Sequence, residues 1–288
     1  MRLLTFENKD KVGMHVAEHV VRRINEFQPT KERPFVIGLP TGSSPIPTYK
    51  HLIAMYQSGH VSFKHVVSFN MDEYAGLPRS HPESYHSFMW TTASRGRDGF
   101  RETLAGRTIV TDAPGRWTNF LGHVDIDPAN VHILDGNAPD LEAECAAYEA
   151  SIEKFGGIEL FLAGIGPDGH IALSGAYDTI VANSRFFDND LSKVPTKALT
   201  VGVATVMDAK EVLIIITGIS KSLALRNCIE EPLSHMWTAS AIQLHDKGVI
   251  VCDEDATMEL RVKTVRYFDK LQKSPQGLYG DLGVGVVP

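Results

Sequence analysis

Cysteine is scarce in this 288-residue chain: only Cys145, Cys228 and Cys252 occur, and no two lie close together. That excludes a disulfide framework and CxxC-type metal or redox motifs, and it leaves small thiols suited to a core in a reducing compartment. Long apolar runs are also lacking. The longest, such as Val212 to Ile216, have the length of a strand and are too short to span a bilayer. The opening MRLLTFENKDK has too short an apolar segment for a secretory leader, so the sequence reads as cytoplasmic with no membrane partner. A basic excess is missing as well. The formal net charge of -7 suits no phosphate backbone, so nucleic acid is not the expected partner, although a few local cations suffice for a small anion. No internal repeat and no low-complexity linker interrupts the chain. The 12 histidines form no HExxH-like spacing, and no metal is expected; His81, His86, His132 and His235 read as polar scaffold or lining.

What is present is a regular alternation. Apolar, β-branched runs predict strands at 3–6, 35–39, 66–70, 158–164, 199–203, 212–217 and 249–252. Helices are predicted at 47–57, 140–155, 220–230 and 257–271, and over the stretch carrying Val12, Val16, Val20, Ile24 and Phe27 at near-helical spacing. Continuous apolar strands alternating with helices give an α/β fold: an open, mostly parallel, Rossmann-like sheet with helices on both faces, in three layers. Ligands of such sheets bind outside the carboxyl ends of the strands. Residues 1–272 read as one domain and 273–288 as a loosely held, glycine-rich tail. Residues 91–117, basic and turn-rich with no helical or strand period, read as a poorly ordered surface excursion.

Four strand ends carry residues with chemistry. GIGPDGH (164–170) breaks a strand with glycine and sets Asp168 two residues from His170, so that a carboxylate can orient an imidazole for proton transfer; a solvated surface turn explains the same residues. PTGSSP (40–45) ends another strand before a helix, offering Thr41, Gly42, Ser43, Ser44 and the helix N-terminus to an anion. Simple helix capping by Ser43 or Ser44 is the alternative there. FNMDEY (69–74) places Asp72 where partial burial can poise a carbon-acid base, with a helix or turn cap as the plainer role. Lys221, in GISKS, sits at a fourth strand end, where a lone lysine is ordinarily a solvated helix-start residue.

Taken together, GLPTGSSP, SFNMDEYAGLPRSHPESYHSFMW, HILDGNAPDL, GIGPDGHIA and HMWTASAIQLH closely resemble the glucosamine-6-phosphate deaminase family, in the family's order, over most of residues 1–272. GIGPDGH alone is shared with 6-phosphogluconolactonases; the FNMDEY run is what separates the two. The resemblance implies an isomerase-deaminase of the hydrolase class without cofactor or metal. It turns glucosamine 6-phosphate and water into fructose 6-phosphate and ammonia. It further implies that Asp72 moves a proton between C2 and C1, that His170 assists ring opening with Asp168 as its acidic partner, and that Thr41, Gly42, Ser43 and Ser44 cradle the phosphate with Arg185 and Lys221. A homohexamer in the cytosol is implied as well.

The chain departs from the family twice. After GIGPDGHIA the family continues with FNEPG and a serine- and arginine-rich stretch, whereas here LSGAY leads straight to Asp178. The glutamate of FNEPG, the family's third acid, is thereby lost, with Gly175 near its place. Impaired activity is the expectation, with a catalytically inactive sugar-phosphate binder as the alternative. The second departure is the insert between Trp90 and Trp117, whose unrelated composition reads as a retained intron or gene-model error.

Overall fold

The computed structural model describes residues 1–90, 101–104, 107–110, 120–171, 181, 183–184, 186–273. The sheet begins with β1 (Arg2–Phe6), followed by α1 (Lys9–Phe27). Asn8 caps α1 by accepting from the N–H groups of Asp10 and Lys11; of the predicted stripe, Val12, Val16, Val20 and Ile24 are buried and Phe27 is partly buried. Gln28, in the left-handed region at φ 52°, closes the helix by donating to the Ile24 carbonyl. Next come β2 (Phe35–Leu39), α2 (Ile46–Gln57) and β3 (Val66–Asn70). Gly13 of α1 lets α2 approach closely: a Cβ there would stand 2.5 Å from Pro47 Cβ, so this glycine fixes where α2 begins.

β4 (Asp72–Tyr74) and α3 (Tyr85–Trp90) follow, then β5 (Arg101–Leu104), β6 (Arg107–Val110) and β7 (Val131–His132). The second half runs α4 (Leu141–Lys154), β8 (Leu160–Gly164), β9 (Ala198–Thr200), α5 (Val203–Met207), β10 (Val212–Ile216), α6 (Ser222–Glu230), β11 (Gly248–Asp253) and α7 (Val262–Lys273).

Seven strands form one parallel sheet in the order β1-β11-β10-β8-β2-β3-β7. Alternate residues of each strand feed opposite cores. Phe35, Ile37, Leu160, Leu162, Leu213 and Ile215 join the α1 and α2 side, whereas Val36, Phe161, Ala163, Ile214 and Ile250 join Tyr148, Leu225 and Phe268 on the other. This is the predicted three-layer α/β architecture. From β2 the chain winds outward through β3 to β7, then returns to β8 on the opposite side and winds away through β10 and β11. The order therefore reverses between β2 and β8, and the loops leaving those strands part to open a crevice.

Three expectations change. The run 199–203 is not a strand of the main sheet: β9 pairs antiparallel with β4, and Gly202 starts α5 immediately afterwards. The last helix begins at Val262, because Asp255–Thr257 forms a separate 3-10 turn. Within the insert, β5 and β6 pair antiparallel, Arg101 opposite Val110 and Leu104 opposite Arg107. A two-residue connection suits such a pairing, but the strands are too short to show a period in the sequence. The rest of 91–117 and the tail from 274 lie outside the described residues. Among the described residues no helix is long and apolar enough to cross a membrane.

One ion cluster clamps a helix to the sheet. Glu211, just before β10, has Oε1 2.7 Å from His19 Nε2 and accepts from Arg23 Nε at 2.7 Å. Burial pushes the Glu211 carboxyl up, but His19 and Arg23 outweigh it and hold it at about 2. Because the folded value lies below the unfolded one, this stability is present above pH 4.5 and is lost as pH falls toward 2. Glu211→Gln should lower the unfolding free energy by roughly 1–3 kcal/mol at neutral pH, with the difference shrinking as pH falls toward 2. Urea titrations at pH 7 and pH 3 check this.

Candidate active site

The anion end is built from the β2–α2 turn. Gly42 sits at φ 90°, a conformation that strains any side chain. The N-cap residue of α2 is Pro45, with no side-chain cap hydrogen bond, so neither Ser43 nor Ser44 stands at the N-cap position. Tyr49 donates its hydroxyl proton to the Pro40 carbonyl at 2.5 Å, and Thr217 Oγ1 donates to Ser44 Oγ at 3.5 Å, bracing the turn from two sides.

The acid comes from the next strand. Met71 N–H donates to the Leu39 carbonyl, and the chain then crosses into β4, where Asp72 pairs with Thr200. Asp72 is thus a strand residue and not a cap. It is 5% exposed, and its Oδ1 has no hydrogen-bond partner. Burial, reinforced by the neighbouring Glu73 and opposed by the Thr41 hydroxyl, raises its pKa to about 7. The phenols of Tyr49, Tyr85 and Tyr148 are pushed well above 10 by burial and then by Asp72, so they stay protonated around it.

The β8 turn closes on itself. Gly166 N–H donates to the His170 carbonyl at 3.1 Å and Gly169 N–H to the Gly166 carbonyl at 3.0 Å. Gly169 is at φ 73° against the Trp237 ring, where a Cβ would stand 2.2 Å from Cε3. This fold brings Asp168 Oδ2 to 3.2 Å from His170 Nδ1, with Asp168 the more buried of the two. Beyond β10, Gly218 N–H donates to the Asp253 carboxylate, and Lys221 donates Nζ to the Ile165 carbonyl at 2.7 Å, tying the β8 and β10 turns together.

A cavity of about 360 Å³ opens at these strand ends, within the range of small-molecule sites. Of the sequence-predicted residues, Thr41, Gly42, Ser43, Ser44, Asp72 and Lys221 line it. Asp168 and His170 are not in the lining, which takes Gly166 and Pro167 from the same turn, while Gly169 packs on Trp237. Arg185 lies outside the described residues. Sequence reasoning missed Tyr74, Glu83, Tyr85, Asn183 and Phe187, which complete the wall; Asn183 donates to the Tyr74 hydroxyl at 2.9 Å. The density of polar and aromatic side chains in 69–90 was the available signal. His132 is scaffold, stacked 4.4 Å from Phe69. Among the described residues no cluster of His, Cys, Asp and Glu could hold a metal.

Comparison with known proteins places the chain in a family. The family model described as glucosamine-6-phosphate isomerases/6-phosphogluconolactonase matches residues 117–251. Glucosamine-6-phosphate deaminase 2 of Homo sapiens is 52% identical, with 94% of each chain covered. The Drosophila melanogaster glucosamine-6-phosphate deaminase is 51% identical over 99% of this chain and 97% of its own. The chain belongs to the glucosamine-6-phosphate deaminase family. A solved monomeric glucosamine-6-phosphate deaminase superposes with a TM-score of 0.75 at 31% identity, covering 90% of this chain and all (100%) of that one. The 6-phosphogluconolactonase of Thermotoga maritima, at 19% identity and a TM-score of 0.58 over 88% of this chain and 98% of that one, shares the fold.

Proposed function

We propose that this chain converts glucosamine 6-phosphate and water into fructose 6-phosphate and ammonia, a hydrolytic deamination joined to an aldose–ketose isomerisation. The observation that carries this reading is Asp72: a buried carboxyl with an unpartnered oxygen, facing a cavity and half-ionised near neutrality, as a base for a carbon acid must be. The phosphate sits on Thr41, Gly42, Ser43 and Ser44 at the α2 N-terminus, with Lys221 and Arg185 supplying charge. His170, oriented by Asp168, moves the proton that opens the ring. Asp72 then takes the proton from C2 of the open aldose and delivers it to C1. The enolamine becomes a C2 iminium, water adds there, and ammonia departs, leaving the C2 ketone. The relatives near 50% identity are deaminases, and this supports the reading over lactone hydrolysis, for which only the fold speaks. Assembly into cytoplasmic hexamers, implied by resemblance, is the finer part of the proposal, and sedimentation decides it.

A second reading, sugar-phosphate binding without turnover, is favoured by one observation: Asp168 and His170 stop short of the cavity lining. Calorimetry with glucosamine 6-phosphate beside an ammonia assay separates the readings. Heat with ammonia supports the enzyme; heat without ammonia supports the binder; ammonia-free hydrolysis of 6-phosphogluconolactone defeats both. Lys221→Ala should raise KM about 10- to 100-fold with a smaller change in kcat, since a charge-assisted contact to phosphate acts on ground and transition states alike. Steady-state kinetics check this.

A further inference from the structure

Asp72 and Glu73 are consecutive on β4, so their side chains leave opposite faces of one strand. Asp72 meets the cavity. Glu73 is 2% exposed and binds backbone: Oε1 accepts from Tyr74 N–H at 2.8 Å and Tyr85 N–H at 3.0 Å, and Oε2 from His86 N–H at 2.8 Å. Tyr85 and His86 open α3, whose Tyr85 and Phe88 form part of the cavity wall. A single carboxylate therefore joins the strand that bears the acid to the wall that encloses it.

Two acids on neighbouring buried residues, one raising the other's pKa, do not ionise together without penalty, and the one with more donors keeps the charge. Glu73 accepts from three N–H groups, whereas Asp72 has the Thr41 hydroxyl and an Oδ1 with no partner. We propose that Glu73 is a positioning residue of the reaction: it holds the negative charge of the pair, so that Asp72 is the member that takes up and returns protons in the cavity. This rests on the reading of Asp72 as the base. The other groups around the pair fit the assignment. Burial raises the Glu73 carboxyl, the three N–H groups draw it back, and Arg79 does so as well. Around Asp72 stand the Thr41 hydroxyl and the protonated phenols of Tyr49 from α2, Tyr74, Tyr85 from α3 and Tyr148 from α4. Lys221 and Glu83 line the same cavity, and His86 lies beside Glu73, made less basic by burial.

The test compares Glu73→Gln with Glu73→Asp. The acid limb of kcat/KM against pH should move about one unit or more to lower pH in Glu73→Gln, as removal of a nearby like charge requires, and stay close to wild type in Glu73→Asp. A lower melting temperature in Glu73→Gln with an unmoved limb would make Glu73 a structural tie only and overturn the proposal. A measurement on the wild-type chain stands apart from activity and from the folding of either variant. With 13C-labelled carboxyl groups, Glu73 should ionise at lower pH than Asp72, and the reverse order overturns the proposal. If that order holds but no ammonia is released, the charge assignment survives and the deaminase reading is what fails.

Discussion

Asp72→Asn lowers kcat/KM for ammonia release by about 10²–10⁴-fold, the range for removing a positioned general base. KM should change little, because the phosphate cradle proposed at the α2 turn does not include Asp72. The same variant gains stability in mild alkali. The Asp72 carboxyl ionises near 3.8 in the unfolded chain and at about 7 in the folded one, so the folded state binds more protons between those values. Stability therefore falls as pH rises through that window, and the loss is complete above pH 7. An uncharged Asn escapes it, so Asp72→Asn should exceed wild type by roughly 1–4 kcal/mol at pH 8 and converge with it below pH 4. Ammonia-coupled kinetics and denaturant titrations at the two pH values read both effects. A variant that loses activity and also loses stability at pH 8 would identify Asp72 as a structural acid.

Restoring the FNEPG stretch after Ala172 raises kcat by about 10²–10⁴-fold, the contribution of one member of an acid–base set. Gly175, near the place of the missing glutamate, has no side chain to move a proton. Binding should change far less than turnover, since the cavity is already enclosed by the α2 turn, β4, α3 and the β8 and β10 turns. Single-turnover kinetics on the two chains, with matched calorimetry, check the split. Equal turnover would mean that another acid, of which Glu83 at the cavity wall is the nearest in kind, already does the work.

The sheet was legible because its strands are buried on both faces and so appear as unbroken apolar runs; 35–39 and 66–70 matched to the residue. The stripe of α1 was legible because one of its faces is wet. β4 and β9 were harder: each has three residues, and their pairing crosses more than a hundred positions, which no local period reports. The turn residues of the site were found through glycine, small hydroxyls and acids at strand ends. Asn183 and Phe187 were not, because nothing local tells that a later segment folds back over Tyr74. The Asp168–His170 pair shows the limit of spacing: two residues apart does bring the groups to 3.2 Å, but the contact of Gly169 with Trp237, far along the chain, is not written in the local sequence.

The proposed reaction turns on a buried carboxyl, Asp72, that takes its proton near neutrality. The pH dependence of kcat/KM for ammonia release from glucosamine 6-phosphate reads the free enzyme's essential base directly. The wild-type chain should show an acid limb with its midpoint at about 7. A profile flat down to pH 5, or a limb that survives unchanged in Asp72→Asn, contradicts it.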